Sequence, residues 1–391
     1  MSRTNGTIIA LVVAGLLSLG IWAGWRALTH RGEPRVDPQL IAPTADAAGF
    51  TRAEGPRQFR FPRDHGPHPE FQTEWWYYTG NLESVGGRHF GYQLTFFRRG
   101  LTPPDEGRDR PSDWATEQVY MAHFAITDVE EGQYQYFERV SRGAAGLAGA
   151  ESPPFCVWLE DWRAEQVGSA SGVVQLVAAQ DDLALDLQLT DRKGPVLHGD
   201  GGYSRKGPER GNASYYYSQT RLETVGTVKS GGQTHQVEGW SWMDHEFSTS
   251  ALGPNQVGWD WFALQLEDGS ELMVFQIRQT DGAIAPLSSG TLVEANGKAL
   301  SLTMNDFAIE VEARWRSPRS GATYPTRWTV RVPGEDIVLR VEPYVEDQEL
   351  NVSYTYWEGA VRMEGARGDR EITGRGYVEL TGYAGSMQDQ F

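Results

Sequence analysis

GWSWMDHEFSTSALGPNQVGWDWF, residues 239 to 262, gathers four tryptophans (Trp240, Trp242, Trp259, Trp261) beside Asp244, His245, Glu246 and Asp260. Charged groups are costly to bury unless each is paired or used, so the stretch marks either a site or an ion network. Side chains two apart on a strand share a face. Read as two strands around a polar turn, it puts Trp240, Trp242, Asp244 and Glu246 on one face and Ser241, Met243, His245 and Phe247 on the other. In the second strand Asp260 falls on the face of Phe262, Leu264 and Leu266, a carboxylate in an otherwise apolar row.

The same alternation runs outward in both directions. Short aromatic and β-branched runs are punctuated by Gly, Pro, Asn and Asp, and a helical apolar period is almost absent, so the fold class is all-β. A chain of 391 residues exceeds what one core usually supports. About eight strands fall on each side of residue 235, which predicts two barrels or closed sandwiches, residues 57–235 and 236–391. A faint echo supports two related halves: WYYTGNL at Trp76 to Leu82 overlays TYWEGAV at Thr355 to Val361, matching Tyr77 with Tyr356 and Gly80 with Gly359. The loops Leu101 to Trp114 and Ala144 to Pro154 have the length of lids or rims.

Thr7 to Trp25 is a run of 19 residues without a charge, which suits a bilayer-crossing segment. Residues 1–32 read as a signal anchor in preference to a cleaved signal peptide, because Trp22 and Trp25 stand where a cleavage site wants small residues. Residues 33–56 read as a linker, with no fold needed before Arg57. The body is expected to be exported, either at the periplasmic face of the cytoplasmic membrane or secreted. A formal charge of −17 argues against a nucleic-acid partner. The single cysteine, Cys156, rules out an intrachain disulfide, a lipoprotein anchor at the N-terminal segment and a multi-cysteine zinc site.

Several chemical motifs fail on spacing or context. Gly239-Trp240-Ser241-Trp242-Met243 comes within one residue of a nucleophile elbow, but it lacks the last glycine and a strand-to-helix turn. His65 and His68, with Glu70 and Glu74, are metal ligands by residue type, yet they match no familiar pattern and read as a rim loop. No phosphate loop or dinucleotide fingerprint is present, so neither a metal nor an organic cofactor is expected. The runs Trp75 to Tyr78 and Tyr215 to Tyr217 either fill a core or line an apolar cavity. Glu74 shares a face with Trp76 and Tyr78. The acids of the central stretch have a structural reading as well, a paired network with Arg98, Arg99, Arg221 or Arg278.

These residues resemble the carotenoid 1,2-hydratase (hydroxyneurosporene synthase) and AttH-like family of lipocalin-like proteins, also known as predicted secreted hydrolases. The matching motifs are HPEFQTEWWYYTGNL from His68, GYQLTFFRRG from Gly91, MAHFAITD from Met121, YYYSQTRL from Tyr215, GWSWMDHEF from Gly239, VGWDWFALQLEDGSELMVFQIR from Val257, DQE from Asp347, YWEGAV from Tyr356 and GYVELTGY from Gly376. The resemblance implies two consecutive lipocalin-like β-barrels with an apolar ligand site in or between them.

Two functions then compete. One is an exported carrier of a lipid, isoprenoid or polyene-like molecule. The alternative is a hydratase that protonates an isolated C=C bond by general acid catalysis, with Asp260 or Asp244 as the acid and His245 and Glu246 orienting it or the water. Hydrolysis ranks third. The expected ligand-binding residues are Glu74, Trp76, Tyr78, Trp240, Trp242, Trp259, Phe262 and Trp357. The expected partners are a hydrophobic small molecule and, through the N-terminal segment, the membrane, with a membrane-protein partner left unnamed.

Overall fold

In the computed structural model, which describes residues 47–387 apart from 105–111, 113–114, 169–171 and 250–251, the alternating runs form strands that assemble into two large antiparallel sheets. The first has 13 strands and the second 10. The excess over the expected number comes from pieces such as Ala148–Glu151, Cys156–Leu159, Val196–Leu197 and Tyr203–Arg205. Strands of two to four residues are too short to show a period. The Ala144 to Pro154 segment, expected as a loop, contains one of them.

At the centre of the first sheet, Thr73–Ser84 pairs with His89–Gly100 on one side and with Gln233–Ser248 on the other. In the second sheet, Gln256–Leu266 lies between Glu271–Gln279 and Arg370–Leu380. The two strands of residues 239–262 therefore belong to different sheets. The expected division at 235/236 falls inside Gln233–Ser248, which pairs within the first sheet over its whole length. The crossing between sheets is the segment 249–255.

Each sheet curls so that one face wraps a core. Trp76, Tyr78, Phe124, Trp162, Leu187 and Met243 lie in the first, and Phe262, Leu264, Trp328, Val330, Trp357 and Val378 in the second. Leu187 is completely buried, and truncating such a side chain to alanine costs about 2–5 kcal/mol. The echo keeps its facing across the two halves: Tyr78 and Trp357 point into their respective cores, while Tyr77 and Tyr356 point out of them.

The outward faces of the two sheets pack on one another. A third apolar cluster joins Tyr77, Tyr216 and Trp242 of the first sheet to Trp261, Met273, Phe275 and Tyr377 of the second. Polar ties flank it, including Lys193 Nζ to Glu271 (2.7 Å) and Asn81 Nδ2 to the Gly376 carbonyl (2.9 Å). Contrary to the linker expectation, the packed body begins before Arg57, because Phe50 and Ala53 are buried and Ala53 packs with Phe71 and Phe247. That segment has no regular element, hence no pattern to read. Thr7 to Trp25 and residues 33–46 lie outside the described residues, among which no helix is long and apolar enough to cross a membrane.

Candidate functional site

Where the sheets meet, the seam opens into a pocket with about 770 Å³ of space unfilled by protein, part of it open to solvent. Alternation explains its walls. Trp75, Tyr77, Asp244 and Glu246 take the outward positions of two paired strands, with Trp75 opposite Glu246 and Tyr77 opposite Asp244. The second sheet contributes Trp259, Trp261, Phe275, Ile277 and Glu379. The pocket is therefore an aromatic box holding three carboxyl groups, with Lys206 at its wall.

Asp244 receives three donors. Trp242 Nε1 (2.6 Å) and Ser218 Oγ donate to its Oδ1, and the Tyr216 hydroxyl (2.6 Å) donates to Oδ2. Tyr216 in turn accepts from Trp261 Nε1 at 3.0 Å, which polarises its hydroxyl towards the carboxylate. Behind Ser218, His198 Nε2 lies 2.6 Å from the serine oxygen. Burial still pushes Asp244 up to about 7 against these three donors, and neighbouring Glu246 adds to the rise. Glu379 is raised to about 7 by burial and by the charges of Asp244 and Glu246, against one hydrogen bond from Trp259 Nε1 at 2.7 Å. Glu246 is paired with Lys206 Nζ at 3.0 Å. Two carboxyl groups thus face one aromatic cavity with acidities near neutrality, the range that suits general acid and base work.

The other expected residues lie elsewhere. His245 points to the opposite face of its strand, where its Nε2 and His68 Nδ1 each lie 2.8 Å from Glu74 Oε1 and Arg98 Nε lies 2.9 Å from Glu74 Oε2. The ligand atoms of His68, Glu74 and His245 come within 4.8 Å of one another, a metal-capable set by type. Their remaining polar atoms are taken up by Arg98, by Asp64 beside His68 and by the Tyr217 hydroxyl beside His245, so the arrangement is that of a closed ion network. Asp260 sits at the mouth of the second core, where Arg278 Nε (2.9 Å) and the Tyr383 hydroxyl (3.0 Å) donate to it. Burial raises its pKa, making it a weaker acid, and Arg278 opposes that rise.

Trp76 and Tyr78 belong to the first core and line a second, smaller cavity with His65 and Met243. Phe262 and Trp357 belong to the second core. Trp240 is 38% exposed, with the Arg221 guanidinium 5.2 Å from its ring centroid, and stands outside the pocket. Ser241 of the near-elbow is buried in mid-strand, hydrogen-bonded to Tyr92 and Thr224. Of the twelve expected residues, Asp244, Glu246 and Trp259 line the seam pocket, and Trp242 supports Asp244 from its edge.

Glu379 and Lys206 escaped the sequence reading, and Tyr216 entered it only within the run Tyr215 to Tyr217, read as either core or cavity wall. Glu379 sits in GYVELTGY as a carboxylate between Val378 and Leu380, a strand pattern with nothing to say what its outward face meets. Tyr216 was within reach, being the outward member of Tyr215 to Tyr217.

A sequence model of the family described as AttH-like matches residues 52–383. A crystal structure described as AttH from Nitrosomonas europaea is 34% identical, with a TM-score of 0.75, over 85% of this chain and 100% of that one. Kievitone hydratase from Nectria haematococca shares the fold at 15% identity, with a TM-score of 0.65, over 86% of this chain and 98% of that one. The dehydratase asqC of Emericella nidulans is 21% identical over 277 residues, which is 66% of this chain and 75% of that protein. The chain belongs to the AttH-like family.

Proposed function

We propose, from the premise that the chain is an AttH-like protein, that it is a hydro-lyase acting on an apolar, unsaturated molecule held in the seam pocket. The observation that carries this reading is the pair Asp244 and Glu379, both near neutrality and both lining one aromatic cavity. The similarity to a hydratase and a dehydratase agrees with it.

The two acids differ in their donors, and this assigns their roles. Asp244, with three donors, is the better carboxylate and hence the base. Glu379, with one, is the better proton donor. In the hydration direction Glu379 gives its proton to one carbon of a C=C bond. Positive charge develops on the neighbouring carbon against the faces of Trp75, Tyr77 and Trp261. Water adds there, and its proton passes to Asp244. The product carries the new C–H and C–OH bonds, and a proton returned from Asp244 to Glu379 restores the start. Dehydration is the same path reversed. An acyclic carotenoid is one member of the substrate class; lipids and other isoprenoids are others.

We place this activity outside the cytoplasmic membrane, on the strength of the uncharged run Thr7 to Trp25. Fractionation of cells carrying the full chain and a version lacking residues 1–32 tests that placement.

A second reading, a carrier without chemistry, rests on the same aromatic walls but gives the two raised carboxyl groups no work. Incubating the protein with polyenes, isoprenoid alcohols and enones in ¹⁸O-labelled water, followed by mass spectrometry, separates the two. Heavy oxygen should enter at least one product. Saturable quenching of tryptophan fluorescence by such compounds, with no label incorporated across the series, would establish the carrier instead.

A further inference from the structure

Behind the pocket wall, Glu358 stands directly opposite Glu379 on paired strands, so their side chains share the seam face. Directly paired residues have Cβ atoms about 4.5–5.5 Å apart, close enough for two carboxyl groups to meet directly or through one water. Glu358 is fully buried, and neither of its oxygens has a hydrogen-bond partner among the described residues. The hydroxyls of Tyr77, Tyr134 and Tyr377 are buried and unpartnered as well. Tyr77 approaches Glu358 as a donor, short of hydrogen-bond geometry, and its pull towards the ionised form is weaker than the opposing effects of burial and Glu379.

Buried polar atoms are almost always bonded, so each exception needs a cause. An ionised Glu358 would be an isolated charge, the costliest state for such a site. A carboxylic acid is not, because it is neutral and has a proton to offer. Burial and the charge of Glu379 both favour that neutral form.

We propose that Glu358 is a positioning residue that remains a carboxylic acid throughout the cycle and donates a hydrogen bond, directly or through one water among the three tyrosine hydroxyls, to Glu379 when Glu379 is ionised. The pair then carries at most one negative charge, as expected for two carboxyl groups that cannot both ionise side by side. This deepens the hydro-lyase reading and rests on it for its role in turnover. When Glu379 gives up its proton, its new charge is met by a donor already in place, which eases the transfer without Glu358 touching the substrate.

The groups facing the pair are almost all acidic or phenolic. Tyr356 precedes Glu358 on its own strand and Tyr354 lies just before that strand, Tyr77, Tyr134 and Tyr377 approach from other strands, and Asp244 and Glu246 face Glu379. Beyond Tyr356, His123 Nδ1 lies 2.6 Å from its hydroxyl and His123 Nε2 lies 3.1 Å from Glu138. Among the described residues two cations come near this group: Lys206 lines the same pocket as Glu379 and is paired with Glu246, and Arg319 acts on Tyr134. Among the described residues no guanidinium pairs with Glu358.

Infrared spectroscopy of the resting protein across pH tests the pair without any substrate. A protonated carboxyl band should persist above the pH at which Asp244 and Glu379 have ionised, disappear in Glu358→Gln, and titrate at lower pH in Glu379→Gln. Turnover supplies the second readout. Glu358→Gln keeps a donor and should stay within about threefold of the parent, whereas Glu358→Leu removes it and should move the titration of Glu379 upward and slow turnover about tenfold or more. Absence of the band, or a band untouched by Glu358→Gln, overturns the proposal even in a protein that hydrates its substrate. A Glu358→Leu protein that folds and leaves the Glu379 titration in place overturns it too. The band behaving as stated in a protein without hydration activity removes the hydro-lyase reading and leaves the pair.

Discussion

Glu74 and Glu358 are both completely buried glutamates on central strands, yet their surroundings put them in opposite states. Glu74 accepts from Arg98, from the ring of His245 and from both the ring and the backbone of His68. Although burial is the largest influence on it and acts upward, these partners together hold its carboxyl well below the usual range. Glu358 has no such partner, so burial and the charge of Glu379 drive it the other way. Equal burial thus gives a permanent anion in one place and a neutral acid in the other. A paired cation backed by donors, not depth, separates a structural brace from a group able to exchange a proton: Glu74 has Arg98, whereas Asp244 has three neutral donors and stays at about 7.

The largest effect that sharpens this contrast is on activity at the seam. Glu379→Gln keeps the shape but removes the transferable proton, so ¹⁸O incorporation should fall about 10²–10⁴-fold while melting stays close to the parent. Retained activity would assign the acid to another group.

Glu74→Gln should do the reverse. It leaves Arg98 buried without its counter-charge, and thermal or urea unfolding should show a loss of roughly 3–5 kcal/mol. The two glutamates also predict opposite pH slopes. Glu74 is depressed in the folded state, so its contribution is complete above the unfolded carboxyl range and is lost as pH falls through its native value. Asp244 and Glu379 are raised to about 7, so the folded state holds protons that the unfolded state has released, and stability declines as pH rises from the ordinary carboxyl range to about 7. Stability measured across pH should show a weaker acid-side loss in Glu74→Gln and a weaker decline towards neutrality in Glu379→Gln. Identical slopes in both variants would break the comparison.

Asp260→Asn should give the smallest change. It weakens the contact with Arg278, whose side chain is 17% exposed and able to recruit water, so the expected loss is about 1–3 kcal/mol in melting with ¹⁸O incorporation unchanged. A fall in activity comparable to that of Glu379→Gln would return Asp260 to the mechanism.

Much of this architecture was legible in the chain. Period-two alternation correctly separated Asp244 and Glu246 from His245 and correctly set Asp260 among Phe262, Leu264 and Leu266, because side-chain facing is fixed locally by strand geometry. It also drew attention to the rings of residues 75 to 78, although the chosen pair, Trp76 and Tyr78, faces the first core while Trp75 and Tyr77 face the pocket. Alternation tells which residues share a face and not which face meets a cavity. Glu74 was noticed as a carboxylate among rings, but Arg98 was offered as a partner for the acids of residues 244 to 260 and pairs with Glu74 instead. Glu379 went unread because a single outward carboxylate in a strand is ordinarily a solvated one.

The sequence by itself determined the all-β class, the two-sided character of each strand and the family resemblance, all of which depend on residue types and short spacings. The tertiary structure alone decided that the sheets meet along their outward faces, that Asp244 and Glu379, 135 positions apart in the chain, line one cavity, and that Glu358 lies behind it without a partner. Strand geometry acts over two residues and is written in the chain. The charge state of a buried acid depends on donors brought from distant strands, and the packing of sheet on sheet supplies those.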